Sequence, residues 1–283
     1  MKRKWTLMIA ALAVCAAALS GTGCQKLKAR DHLNKGVQAY RSANYPAAVE
    51  HFKQAVELDP EFNTARLYLA TAYMSQWIPG AESPENVQMA KAAKENFSKV
   101  LESSPNDPVA IASMASMSYQ EAGGIQDIQA KNNKLDEARE WNERLVKTDP
   151  KNKEAYYSLG VIAWAKWYPA YGKARADLGM KPEDPGPLKD KKVREELRAK
   201  WWDTVQGGIA NLEKALEVDK NYDDAMAYLN LLYRERADLA DTPEEARKDV
   251  DTADSWLQKA LDTRKAKAEA ASEGGFGAVA PAQ

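Results

Sequence analysis

One pattern restricts this chain more than any other. Small residues return at fixed distances on amphipathic stretches, and each stretch closes in a short polar break. In Leu33–Pro60, Gly36, Ala48 and Ala55 are interleaved with Tyr45 and Phe52, and the segment ends on Pro60. Two helices pack closely only where small side chains face large ones, and Pro then ends the second helix. The endings recur as KVLESSPND (Lys99–Asp107), RLVKTDPKN (Arg144–Asn152), KALEVDKNY (Lys214–Tyr222) and KALDTRK (Lys259–Lys265). After Pro60 and the first three of these, a new apolar helix opens at Asn63, Pro108, Lys153 and Asp223. The chain therefore reads as five successive helix pairs.

Composition agrees. The chain is rich in Ala, Leu, Glu and Lys and poor in Ile, which favours helix over a large sheet. With 40 Lys+Arg against 41 Asp+Glu there is no basic surplus of the kind nucleic acid requires. Two Cys exclude a disulfide framework, and two His exclude a site made mainly of imidazoles.

The spacing in Leu33–Pro60 resembles the tetratricopeptide repeat. That resemblance implies an all-α fold, a right-handed α-solenoid of about five helix pairs over residues 29–268, acting as a non-enzymatic protein-binding scaffold. The second to fifth pairs are long for the repeat. From Tyr73 to Ala93, Ser118 to Ala138 and Tyr233 to Ala253 the interval exceeds the repeat's by about eleven residues, close to three helical turns. Ser83-Pro84-Glu85 and Thr242-Pro243-Glu244 read as early helix starts, with an N-cap followed by Pro. In the third pair Gly123-Gly124 reads as part of a loop. The fourth pair is longer still, with a projecting helical hairpin expected at about 168–203 and broken at Lys181–Pro187.

The N-terminus reads as a targeting segment. Met1-Lys2-Arg3-Lys4 is basic, residues 5–19 are apolar but too short to span a bilayer, and small residues lead to Cys24. This resembles a bacterial lipoprotein signal over residues 1–23, with Cys24 acylated and residues 24–28 as a short tether. The family places Leu three residues before the Cys, where this chain has Gly21. Ordinary signal cleavage near Gly23 is the alternative. Losing residues 1–23 would leave Cys24 as the chain's one thiol. The expected location is the cell envelope, lipid-anchored and facing the periplasm, or else soluble in the periplasm or secreted. Residues 269–283 read as a disordered tail.

Candidate sites follow from the fold. In the family, the first helices line the ligand-contacting face. One column of those helices reads Tyr40, Met74, Tyr119, Trp164 and Arg234, a groove suited to a peptide or protein partner. The family's C-terminal-carboxylate clamp needs Lys and Asn on that face, where this chain has Leu33, Val37, Leu67 and Thr71. A second aromatic group, Trp167, Tyr168, Tyr171, Trp201 and Trp202, flanks the hairpin. It could bind a small ligand or stack on sugar rings, or it could be a small core holding the hairpin. His32 and His51 fall at packing positions, and no nucleophile elbow, phosphate loop or zinc motif occurs, so neither catalysis, cofactor nor metal is expected.

Overall fold

The structure is a computed structural model that describes residues 23–181 and 183–275. Residues 1–22 of the leader expected at 1–23, and the end of the tail, 276–283, lie outside the described residues. All regular structure among the described residues is helical: α1 (23–41), α2 (Tyr45–Leu58), α3 (Asn63–Met74), α4 (Pro84–Ser103), α5 (Pro108–Gly124), α6 (Ile128–Thr148), α7 (Lys153–Asp177), α8 (Lys191–Val218), α9 (Asp223–Arg236) and α10 (Pro243–Gly275). A 3-10 turn, Ala237–Leu239, follows α9.

The helices fall into two compact units, one ending at Ile125 and the other starting at Gln126. In the first, α2 packs on α3, α3 on α4 and α4 on α5. In the second, α6 packs on α7, α7 on α8, α8 on α9 and α9 on α10, while α7 also touches α9. This successive antiparallel packing is the tetratricopeptide-like arrangement expected within each unit. The third expected pair, α5 and α6, has one helix in each unit.

Local chemistry explains the helix starts. Asn44, Ser83, Asp107, Asp127, Asn152 and Asp190 each accept a backbone N–H from the third residue on, satisfying one of the donors left open by a helix beginning. Pro84 and Pro108 occupy first-turn positions where no N–H is needed. Thr242 caps α10 by accepting from Glu245 N at 3.2 Å.

The small residues sit where the pattern placed them. Ala48, Ala93, Ala138 and Ala253 are fully buried in α2, α4, α6 and α10, and Gly208 is buried in α8. Gly36 lies under the Phe52 ring, where a Cβ would come within 2.4 Å of ring carbon Cε1. Gly160 sits likewise against Leu212, where a Cβ would come within 2.4 Å of its Cγ.

Four boundaries differ from the sequence reading. Gly123 and Gly124 are the last two residues of α5 and not part of a loop. The expected hairpin is a direct extension of the fourth pair's own helices, 25 residues in α7 and 28 in α8, joined by residues 178–190. Pro169 lies inside α7. The tether expected at 24–28 is already helical, with Ala29 the first buried residue among those described, and residues 269–275 continue α10.

Two glycines in unit two give opposite expectations for the same change. Gly160→Ala should lose about 1–3 kcal/mol through overpacking against Leu212, despite its better helix propensity. Gly207→Ala meets nothing within 4 Å and should gain about 0.5–1 kcal/mol. Urea unfolding of the two variants checks both signs.

Candidate functional site

The lengthened first helix of the fourth pair builds a cleft inside the second unit. Tyr168, Tyr171, Gly172, Arg175 and Ala176 recur every three or four residues, so they lie on one face of α7. That face stands opposite Leu231, Arg234 and Glu235 on the last turns of α9, and Met180 closes one end. The open cleft has a volume of about 340 Å³. Tyr168 is 47% exposed at the rim, whereas Arg175, Met180 and Glu235 are buried.

Glu235 is only 4% exposed. Its Oε1 accepts the Trp164 indole N–H at 2.9 Å, while Oε2 is buried without a hydrogen-bond partner. Burial pushes its carboxyl up to about 8, against the lowering influence of the Trp164 and Trp167 indoles and with a further push from Asp238. The Trp167 indole N–H does not reach hydrogen-bond geometry and is itself unpartnered. At neutral pH the cleft therefore holds a mainly protonated acid.

The neighbouring charges are satisfied. Arg175 Nη1 donates to both Asp238 oxygens at 2.9 and 2.8 Å. Its Nη2 donates to the backbone carbonyls of Lys181 and Asp184. Burial works against this guanidinium, but hydrogen bonding and attraction to Asp238 raise its pKa. The pair ties the α7–α8 connection to the 3-10 turn after α9, and so fixes one end of the cleft. Arg234 pairs with Asp254 on α10. Burial, then Asp238, push the Tyr171 hydroxyl up to about 12, so it remains a neutral phenol.

The aromatic group is sorted by depth, with Tyr171 packed on Trp167 at a centroid distance of 5.8 Å and at the edge of the same core. Trp167 is fully buried and Trp201 nearly so, their ring centroids 6.0 Å apart in a core shared with Val205, Ile209, Leu212, Leu229 and Leu232. These two are packing residues, which corrects their assignment to a binding patch and removes two of the faces a sugar ring would have used. Trp202 is half-buried, with the Arg198 guanidinium 4.3 Å from its ring centroid. Tyr168 and Tyr171 line the cleft, and Trp164 reaches it through Glu235 and by packing on Tyr168 with ring centroids 4.8 Å apart.

The five-residue column falls in two parts. In the first unit, Tyr40 shares a hydrogen bond of 2.8 Å with Ser75 and packs against Tyr45, Met74 is half-buried, and Tyr119 is exposed. In the second, Trp164 and Arg234 belong to the cleft. The two histidines face each other across α1 and α2 with ring centroids 5.7 Å apart. Among the described residues no group of three or more His, Cys, Asp or Glu could hold a metal ion, and no helix is long and apolar enough to cross a membrane. Cys24 is exposed near the start of α1.

The sequence reading missed Arg175, Met180, Leu231 and Glu235. Glu235 lies three residues after Leu232 and six after Leu229, inside the buried stripe of α9. That register was the available signal, masked by the flanking Arg234 and Arg236.

Comparison with known proteins agrees with this architecture. The tetratricopeptide-repeat family model matches residues 33–108 and 127–185. The two stretches together make up a little under half of the chain. No curated protein sequence matches it. Among solved structures, a double mutant of MamA from strain RS-1 superposes with a TM-score of 0.50 at 16% identity, covering 85% of this chain and 96% of its own. MamA from Desulfovibrio magneticus RS-1 gives 0.49 at 16%, covering 84% and 96%. The thermophilic protein TTC0263 of Thermus thermophilus gives 0.43 at 18%, covering 86% and 98%. At 16% identity, the likeness to the double mutant is one of fold alone.

Glu235 makes the fold pH-dependent with a definite sign. Its folded pKa lies above the ordinary carboxylate value of about 4.3, so the unfolded chain loses this proton first as pH rises. The stability it supports is complete below about pH 4 and is lost as pH climbs towards 8. Glu235→Gln should therefore gain on the parent chain between about pH 5 and 9, by an amount on the order of a few kcal/mol. Urea midpoints at each pH measure it. Asp238→Ala, which strands a buried guanidinium, should cost about 3–5 kcal/mol in the same assay.

Proposed function

We propose that this protein is a non-enzymatic scaffold that holds a protein or peptide partner on its first-helix surfaces. The observation that carries the reading is the cleft between the first helices α7 and α9, with largely apolar walls and a few fixed polar groups at its base. The family's repeats use first helices for such contacts. Exposed Tyr68 and Tyr119 on first helices α3 and α5 add aromatic surface of the kind interfaces favour. Tyr68 is held in place by packing on Phe52, with ring centroids 5.4 Å apart, so little side-chain freedom is lost when it binds.

We also propose that the scaffold works in the bacterial cell envelope, anchored by a lipid on Cys24. The basic and apolar leader, the small residues before Cys24 and the exposure of its thiol support this reading. Since α1 is helical from residue 23, an acyl group there would join the membrane directly to the first helix pair.

Photo-crosslinking tests the scaffold. A benzophenone amino acid replacing Tyr119 or Tyr168 in cells should give discrete protein adducts on a gel, and the absence of adducts at both positions would overturn the reading. Mass spectrometry of the mature N-terminus tests the anchor separately. Diacyl- or triacyl-cysteine at residue 24 is expected, and an unmodified Cys24 would remove the lipid while leaving the scaffold intact.

A further inference from the structure

Each second helix before α10 packs on the first helix that follows it: α2 on α3, α4 on α5, α6 on α7 and α8 on α9. Phe52, Phe97, Asn142 and Leu212 lie four residues after the small residue of their helix, Ala48, Ala93, Ala138 or Gly208, and all four are buried. The following first helix helps to cover them. Tyr68 of α3 stacks on Phe52, and Leu229 of α9 shares a core with Leu212. Leu257 holds the same position after Ala253 in α10, yet it is 40% exposed, and Leu261 one turn on is 51% exposed. Among the described residues no first helix follows α10. Terminal helices of stacked repeats turn a polar face outward, and α1 does so with exposed Asp31, Asn34, Lys35 and Gln38. α10 presents two leucines instead.

Reach and charge decide what covers them. Leu261 lies fourteen residues before the end of α10 at Gly275, about 21 Å along the helix. Val279 is four residues beyond Gly275, at most ~14 Å of extended chain, so the chain's own Phe276 and Val279 fall short. The polar face of α1 from a second copy would leave the leucines unmatched. A second α10 matches them. Arg247, Asp251, Asp254, Lys265 and Glu269 share the flank beside the leucines at 3.6 residues per turn. With two such helices antiparallel about residue 259, Leu257 of each lies on Leu261 of the other. Lys265 then falls between Asp251 and Asp254 of the second copy, and Glu269 faces its Arg247. A parallel pairing would set Asp254 on Asp254 and Lys265 on Lys265. Among the described residues Arg247 and Asp251 make no ion pair, while Lys265 and Glu269 meet only each other, at 3.9 Å. Asp254 also holds Arg234, and Asp262, turned further from the seam, is bonded to Gln258.

We propose that two copies of this chain pair through α10, antiparallel and related by a two-fold axis at residue 259. Each copy supplies the neighbour that the other's last helix lacks, as an isologous contact allows. Two leucines per copy make a small apolar centre, so the pairing is weak and reversible. It uses a second helix, and so stands apart from the first-helix scaffold reading.

The test co-expresses two differently tagged copies of the full chain in cells, with a benzophenone amino acid replacing exposed Gln258 in one of them. An adduct carrying both tags is expected, with the insertion mapped by mass spectrometry to residues 254–262 of the second copy. Leu261→Asp in both copies should abolish it and leave the helical circular dichroism unchanged, since Leu261 is exposed. A charge exchange tests the pairing without touching the leucines. Asp251→Lys in both copies, or Lys265→Glu in both, should cut the yield roughly fivefold, because each repulsion occurs twice across the axis. Asp251→Lys in one copy with Lys265→Glu in the other should restore it, since every contact is again between opposite charges.

No adduct with both tags, insertion into residues 23–41 of the second copy, or a mixed pair no better than either variant alone would overturn the proposal. Adducts to another protein from residue 119 or 168 would leave the scaffold standing in each case.

Discussion

Close approach of helix backbones at glycine and alanine is the constraint on which everything else depends. Gly36 beneath Phe52, Gly160 against Leu212, and Gly208 against Ala163 and Leu232 leave no room for even a methyl group without movement. Each large side chain is seated in a hole made by the absence of another, as dense interiors require. Fixing these contacts fixes the rotation of each helix, and with it which residues face outward. Every statement about an exposed tyrosine or a cleft-lining arginine is downstream of that geometry.

Lengthening the helices changes what such a framework can do. The pairing chemistry is confined to the repeat core, so the extra turns of α7 are free to carry other residues. They add Trp167 to the core with Trp201, and at the edge of that core they raise a wall of Tyr168, Tyr171 and Arg175 over the end of α9. Pro169 inside this helix is tolerated because the extension is held by tertiary contacts beyond its own ladder. The Arg175–Asp238 pair and its bonds to two carbonyls of the connection lock that wall in place. A buried ion pair contributes little net stability over apolar packing, but losing one partner is severe. Its value here is positional.

The framework was legible in the sequence because small residues at fixed spacing have few physical explanations. Ala48, Ala93, Ala138 and Ala253 are buried as that spacing required, and Ser83 and Asp107 cap where N-cap chemistry placed them. Gly123 and Gly124 were misread because glycine's weak helix propensity says nothing about a helix end that tertiary packing carries to Gly124. The aromatic group was found as a set but not sorted. Trp164, Trp167, Tyr168 and Tyr171 occupy neighbouring positions on one helix, and only the helix packed beside them decides which ring is covered. Glu235 escaped for the opposite reason: its register was readable, but its charge argued for solvent.

A buried acid among satisfied ion pairs is the least economical feature of the second unit. If it served packing alone, a methionine or leucine would fill the same place without losing stability as pH rises. The indole of Trp164 supplies one hydrogen bond and cannot supply a charge. What keeps the carboxyl protonated is desolvation, which outweighs the lowering influence of the two indoles.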